Sequence, residues 1–156
     1  RKGHTMLNDG DKAPDFTIPT DEGEFSLNAS AGPVVVFFFP RADTSGCTKE
    51  AIAFSELKAE FDAAGVRVIG ISKDTGTKQG KFRAKYDLAF PLGADDEGDV
   101  CEQFGVWVEK SMYGKKYMGI QRATFLIGSD GSIIKSWPKV KVPGHADAVL
   151  EAVKAL

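Results

Sequence analysis

Six consecutive apolar residues, Val34 to Phe39, run directly into Pro40-Arg41-Ala42-Asp43-Thr44-Ser45-Gly46-Cys47, and from there into a helical segment from Thr48 to Ala64. An apolar run without polar alternation predicts a strand covered on both faces, in the centre of a sheet. Such a strand must deliver the loop that follows it, and the loop presents one thiol at the first turn of a helix. Unpaired backbone N–H groups and the helix dipole converge at that point, and both favour a thiolate over a thiol.

The flanking segments complete an α/β pattern. Pro14 to Pro19 and Phe25-Ser26-Leu27, separated by Asp21-Glu22-Gly23-Glu24, suggest an N-terminal hairpin. Gly65 stops the first helix, and Val66 to Ile71 reads as a second central strand. Thr77 to Tyr86 and Asp99 to Phe104 read as helices. Arg122 to Ile127 and Ile133 to Trp137 read as strands joined by the turn Ser129 to Ser132, and Ala146 to Leu156 as a closing helix. This order predicts an α/β sandwich of the thioredoxin kind, a central mixed sheet flanked by helices. Arg1 to Thr5, ahead of Met6, read as an appended leader foreign to the protein, leaving residues 6–156 as a single thioredoxin-like domain.

Charge and cysteine usage narrow the function. Twenty basic against 22 acidic residues give a net charge of −2, which provides no argument for nucleic acid or an anionic membrane as partner. The apolar runs are far shorter than a membrane span and the chain opens with no signal peptide, so the reading is a cytoplasmic protein. Two cysteines, 54 positions apart, are too few for a disulfide framework. With only two histidines and no clustering of ligands, no metal site or cofactor is expected.

The neighbours of Cys47 are turn and cap residues rather than core formers, which favours a reactive thiol over a packed one. An ordinary thiol, with pKa about 8.5, is only a few per cent ionised at neutral pH. Lowering it to about 6 takes roughly 3.4 kcal/mol, at about 1.36 kcal/mol per pKa unit. A helix terminus contributes at most about 2 kcal/mol, so a cation must supply the rest. Arg41, Lys49 and Arg122 are the candidates, and Arg122 stands out because it opens an otherwise apolar strand where it needs an anionic partner. Thr44 has a hydroxyl able to donate and accept beside the sulfur, and Pro40 fixes the strand exit. Other thiol chemistries fail by counting. Positions 44 and 50 are Thr and Glu, so there is no paired redox cysteine; position 53 is Ala, not the Arg of a phosphatase loop. His145, in Pro143-Gly144-His145, suits a helix entry rather than a protease partner.

Pro-x3-Thr-x2-Cys between a strand and a helix resembles the peroxidatic motif of peroxiredoxins. Val100-Cys101-Glu102-Gln103-Phe104-Gly105-Val106-Trp107, then Glu109-Lys110, Gly114-Lys115, Tyr117, Gly119 and Arg122, is similar to the bacterioferritin comigratory protein, or Q-type, group. The resemblance covers nearly all of residues 8–156. It implies a thiol peroxidase in which Cys47 attacks hydrogen peroxide or an organic hydroperoxide and becomes a sulfenic acid. By position, Pro40, Thr44 and Cys47 match the active-site loop and Arg122 the strand arginine. It also implies a monomer. Many members carry a resolving cysteine five or 36 positions after the first; here Ile52 and Arg83 stand there. Cys101, in a helix with Val100 and Phe104, reads as a packing residue. The expectation is therefore a one-cysteine mechanism with an external reductant: glutathione, glutaredoxin or thioredoxin. A Cys47–Cys101 disulfide is the competing possibility. Trp107, Tyr113, Tyr117 and Met118, close in sequence to Arg122, are candidates to wall the peroxide pocket. A non-catalytic redox sensor or thiol-based binding module on the same fold is the alternative function, and a purely structural protein a third.

Overall fold

A computed structural model describes residues 5–156. Of the five-residue leader read from the sequence, residues 1–4 lie outside the described residues. Thr5 and Met6 run across Gly105 (φ 77°), their backbone occupying the space a Cβ would need, so only glycine fits that crossing.

Seven strands form one mixed sheet: β1 (Thr17–Thr20), β2 (Gly23–Ser26), β3 (Val34–Phe38), β4 (Arg67–Ser72), β5 (Leu92–Ala94), β8 (Ala123–Ile127) and β9 (Ile133–Trp137), in the order β2-β1-β5-β4-β3-β8-β9. β3 and β4 run parallel, as do β4 and β5, while β8 is antiparallel to β3. The apolar run thus sits inside the sheet, as its composition requires. The helices are α1 (Ser45–Glu56), α2 (Lys58–Ala63), α3 (Gly76–Tyr86), α4 (Val100–Gln103) and α5 (His145–Lys154), and β6 (Trp107–Met112) with β7 (Lys115–Ile120) form a separate hairpin. This is the thioredoxin-like sandwich that the element order predicts. Among the described residues no helix is long and apolar enough to cross a membrane.

Alternation along β3 creates two cores. Val34, Val36 and Phe38 face one, with Phe104, Phe125 and Cys101; Val35, Phe37 and Phe39 face the other, with Phe54, Phe61, Leu126 and Cys47. Phe37 stacks on Phe54 at 4.6 Å between ring centroids, which clamps α1 to the sheet. Truncating either ring would cost about 3–5 kcal/mol.

Two departures from the sequence reading bear on the site. The helix expected over 48–64 starts earlier, at Ser45, and breaks at Leu57 (φ −97°, ψ 5°), where the chain turns so that Phe61 packs 6.1 Å from Phe54. The β6–β7 hairpin carries no strand signal in the sequence. Its turn, Tyr113-Gly114, has positive φ at both residues (53° and 79°), the geometry of a primed hairpin turn, but tyrosine there lacks the usual Asn or Asp signature.

Candidate active site

The residues that the sequence marks out converge because of periodicity on two elements. On α1, Cys47, Glu50, Ala51 and Phe54 are all buried and recur at helical spacing, so they form one stripe facing the sheet. Cys47 is 1 % exposed, its sulfur at the head of that stripe. Thr44 is the residue before the helix, and Thr48 N–H donates to its carbonyl at 2.8 Å. The amides of Ser45, Gly46 and Cys47 therefore belong to the unsatisfied first turn.

The opposing residue arrives through strand register. Phe38 pairs with Ala123, so Arg122 stands one step on, level with Phe39 at the strand exit, and alternation puts it on the face of Thr124 and Leu126. Its guanidinium makes two bonds there. One amino group donates to Cys47 Sγ at 3.4 Å and the other to Glu50 Oε1 at 2.7 Å. Gly46 permits this approach, since a Cβ at that position would lie 3.2 Å from Arg122 Nη2. Of the three cations considered, Arg122 is the one on the sulfur; Arg41 lies on the surrounding cavity wall, and Lys49 is exposed on α1 outside it.

The sequence marks Glu50 only as a non-cysteine, although its place three residues after Cys47 puts it on the same buried stripe. It is 1 % exposed, and its Oε2 has no hydrogen-bond partner among the described residues. Burial raises its carboxyl to about 7, against the opposing pull of Arg122. Burial also works against the charge on Arg122, but the Glu50 carboxylate and Cys47 hold it more firmly protonated than an ordinary arginine. Lys110, part of the motif that carries the Q-type resemblance, donates to the Ile120 carbonyl at 2.5 Å and lines the same cavity. Burial and the charge of Arg122 weaken its hold on a proton, with Cys47 acting the other way.

The loop carrying Pro40 to Thr44 is pinned from outside. Asp74 Oδ2 accepts from Ala42 N–H at 2.7 Å and from Ser72 Oγ at 2.6 Å. Asp43, held at φ 60°, accepts from Tyr86 Oη at 2.7 Å and Lys85 Nζ at 2.9 Å. Thr44 Oγ1 donates to the Arg41 carbonyl at 2.9 Å, which leaves its oxygen able to accept from a ligand. Pro40, Thr44, Cys47 and Arg122 share one cavity of about 890 Å³, within the range of about 300–1,000 Å³ seen for small-ligand sites. Of the four candidate wall residues, Trp107, Tyr117 and Met118 line it. Tyr113 does not: at the tip of the hairpin it is 99 % exposed.

Cys101 and His145 belong elsewhere. Cys101 is fully buried in the opposite core, and burial, reinforced by Asp95, pushes its thiol strongly up. Arg83, at one resolving position of the Q-type group, donates to the Leu88 carbonyl and pairs with Asp21 and Glu22; Ile52, at the other, packs against the core of α1. His145 opens α5, with Nε2 2.8 Å from Thr124 Oγ1, and burial with nearby Arg122 lowers its pKa to about 4. Among the described residues no cluster fit to hold a metal ion occurs.

A buried thiol at a helix start, bridged by an arginine to a second buried acid beneath an open cavity, can hold negative charge on sulfur and on an oxygen placed beside it. Residues 10–136 match the AhpC/TSA family. The chain belongs to the peroxiredoxins of that family. It is 44 % identical to peroxiredoxin Bcp of Escherichia coli over 150 residues, 95 % of this chain and 96 % of that protein. Two solved structures share the peroxiredoxin fold at high likeness. The bacterioferritin comigratory protein of Xanthomonas campestris superposes with a TM-score of 0.86 at 43 % identity, covering 90 % of this chain and 91 % of that one. Peroxiredoxin Q of Xylella fastidiosa superposes with a TM-score of 0.90 at 33 % identity and 98 % coverage of both. This peroxiredoxin therefore sits in the Q-type, or bacterioferritin comigratory protein, group that its motifs resemble.

Proposed function

We propose that this peroxiredoxin is a thiol-dependent peroxidase acting through Cys47 alone. The observation that carries the reading is the guanidinium of Arg122, with one amino group on Cys47 Sγ and the other on Glu50 at the floor of an open cavity. The X. campestris relative is described for its alkyl peroxide reduction, and the same substrate class suits a cavity walled by Trp107, Tyr117 and Met118.

In the reaction, the Cys47 thiolate attacks the nearer peroxide oxygen, an S–O bond forms and the O–O bond breaks. Cys47 becomes a sulfenic acid, and the departing oxygen takes a proton and leaves as water or an alcohol. Arg122 and the first-turn amides of α1 stabilise the charge moving between sulfur and oxygen, and Thr44 orients the substrate oxygen. Pro40 holds the strand exit rigid. A sulfenic acid has to be returned by a thiol before it climbs to the irreversible sulfinic state. Cys101 lies in the other core, and Ile52 and Arg83 replace internal resolvers, so we assign that step to an external thiol. The cycle needs residues from one copy only, so a monomer suffices, and a reducing compartment such as the cytoplasm supplies the donor.

One equivalent of peroxide added without thiol is expected to raise the protein mass by one oxygen, and Cys47→Ser to abolish both that gain and turnover. A loss of two hydrogens instead would mean an internal disulfide and overturn the one-cysteine cycle. Stoichiometric consumption with every thiol donor supplied would make the protein a sensor rather than an enzyme.

A further inference from the structure

We infer that the reductant of Cys47 is a small thiol bearing carboxylates, a cysteinyl peptide of the glutathione kind, seated on a cationic rim formed by Arg41 and Lys78. This rests on the one-cysteine reading above and names the partner that reading leaves open.

Three features of the cavity point the same way. Access comes first. Cys47 is 1 % exposed and lines a space of about 890 Å³, a volume that admits a peptide-sized thiol but not the body of a folded protein. Charge comes second. Arg41, Lys73, Lys78, Lys110 and Arg122 line the cavity against a single acid, Asp74, and Asp74 Oδ2 already accepts from Ala42 and Ser72. Arg122 is committed to Glu50 and Cys47, Lys110 to the Ile120 carbonyl, and Lys73 to Asp95 and Glu102. Arg41 and Lys78 make no ion pair among the described residues, and both are exposed. Extent comes third. Arg41, Asp74 and Lys78 also line an adjoining cavity of about 410 Å³ that carries Lys81 and Lys85, of which Lys85 is paired with Asp43. The unpaired positive charge thus continues away from the sulfur, which matches a peptide whose carboxylates stand apart from its thiol. A neutral or cationic thiol gains nothing from that rim, and desolvating several like charges without a counter-ion is unfavourable.

The chemistry balances with two thiols. The first, as thiolate, attacks Cys47 sulfur, the S–O bond breaks, and the hydroxide leaves as water with the thiol's proton, giving a mixed disulfide. A second thiolate attacks the peptide sulfur of that disulfide, releasing Cys47 and a free peptide disulfide. The two electrons that reduce the sulfenic acid come from the two thiols.

The experiment has two stages. Wild-type protein receives one equivalent of peroxide, and the sulfenic acid is counted by trapping with dimedone; if none forms, the one-cysteine reading and this one fail together. The trapped-stage control passed, the sulfenic acid is reduced with glutathione or with glutathione diethyl ester, each rate normalised to the same thiol's reaction with a small disulfide. Glutathione is expected to be at least about tenfold faster at low ionic strength, with the advantage shrinking as salt rises. In Arg41→Gln/Lys78→Gln the ratio is expected to fall towards one, and in Lys116→Gln, on the hairpin outside the cavity, to persist. Equal rates for thiol and ester, a preference that survives the double variant, or reduction by thioredoxin alone would each overturn the assignment.

Discussion

A single guanidinium serves two acids at this site, and that divalency sets what each substitution should do. Arg122 reaches Cys47 at 3.4 Å with one amino group and Glu50 at 2.7 Å with the other. A lysine ammonium is a point charge on a flexible stem and cannot hold both in a fixed fork. Arg122→Lys is therefore expected to lower the second-order rate with peroxide by about 10²-fold, close to the loss on removing one preorganised donor, about 10²–10³. Stopped-flow oxidation of Cys47 measures it, and a rate within threefold of wild type would mean that charge alone, not the bridge, is what the reaction uses. Thr44→Val is expected to be milder. Its hydroxyl donates to the Arg41 carbonyl, so the loss falls on substrate orientation and shows as a raised KM. This pairing explains why the sequence points to Arg122 but passes over Glu50. An arginine at the mouth of an apolar strand announces a missing anion, whereas a glutamate on a helix is ordinary until its stripe is known to be buried.

At the level of elements, the site exists because α1 begins where β3 ends and β8 runs back beside it. Gly46 leaves room between α1 and Arg122, which directly precedes β8, since a Cβ there would lie 3.2 Å from Arg122 Nη2. Alanine favours a helix over glycine by up to about 1 kcal/mol in the interior and by less in the first turn, where Gly46 lies, so Gly46→Ala should leave the thermal midpoint unchanged or slightly raised. Activity should nonetheless drop by an order of magnitude, because the methyl displaces the guanidinium. A variant with wild-type rates would mean that Arg122 can retract without consequence. The central strand, the thiol-bearing loop and both flanking helices were legible in the sequence, since their signals are local: apolar runs, Gly and Pro punctuation, and helical spacing. Two other features were not. The β6–β7 hairpin turns on Tyr113 at φ 53°, a conformation tyrosine seldom adopts, so no turn chemistry marks it; its Lys110 reaches the cavity only through strand pairing. Tyr113, grouped by nearness in sequence with Tyr117, points away for the same reason, since it is the tip rather than a wall. The break at Leu57 was hidden because Phe54 and Phe61 keep a spacing compatible with one continuous helix.

Across the whole molecule the sheet divides the chemistry, with Cys47 in one core and Cys101 in the other, and the core that holds Cys47 also contains two buried titratable groups whose effects on stability oppose each other. Burial raises Glu50 to about 7 from an unfolded value of about 4.3. The folded state then binds more protons than the unfolded one between those values. The stability this gives is full below about pH 4.3 and is lost as pH rises through about 7. His145 runs the other way. Its folded pKa, about 4, lies below the unfolded value of about 6.5, so its contribution is full above pH 6.5 and is lost as pH falls through about 4. Within their overlap the two slopes partly cancel, and the wild-type curve should be shallow there. Removing one exposes the other. In Glu50→Gln the stability from urea unfolding should climb more steeply than wild type from pH 4 to 6.5. In His145→Gln, where the amide can still bond to Thr124, stability should decline between pH 4.3 and 7. Parallel curves for all three proteins would mean that neither group differs in protonation between the folded and unfolded chains, and that Arg122 neutralises Glu50 fully at every pH in that range.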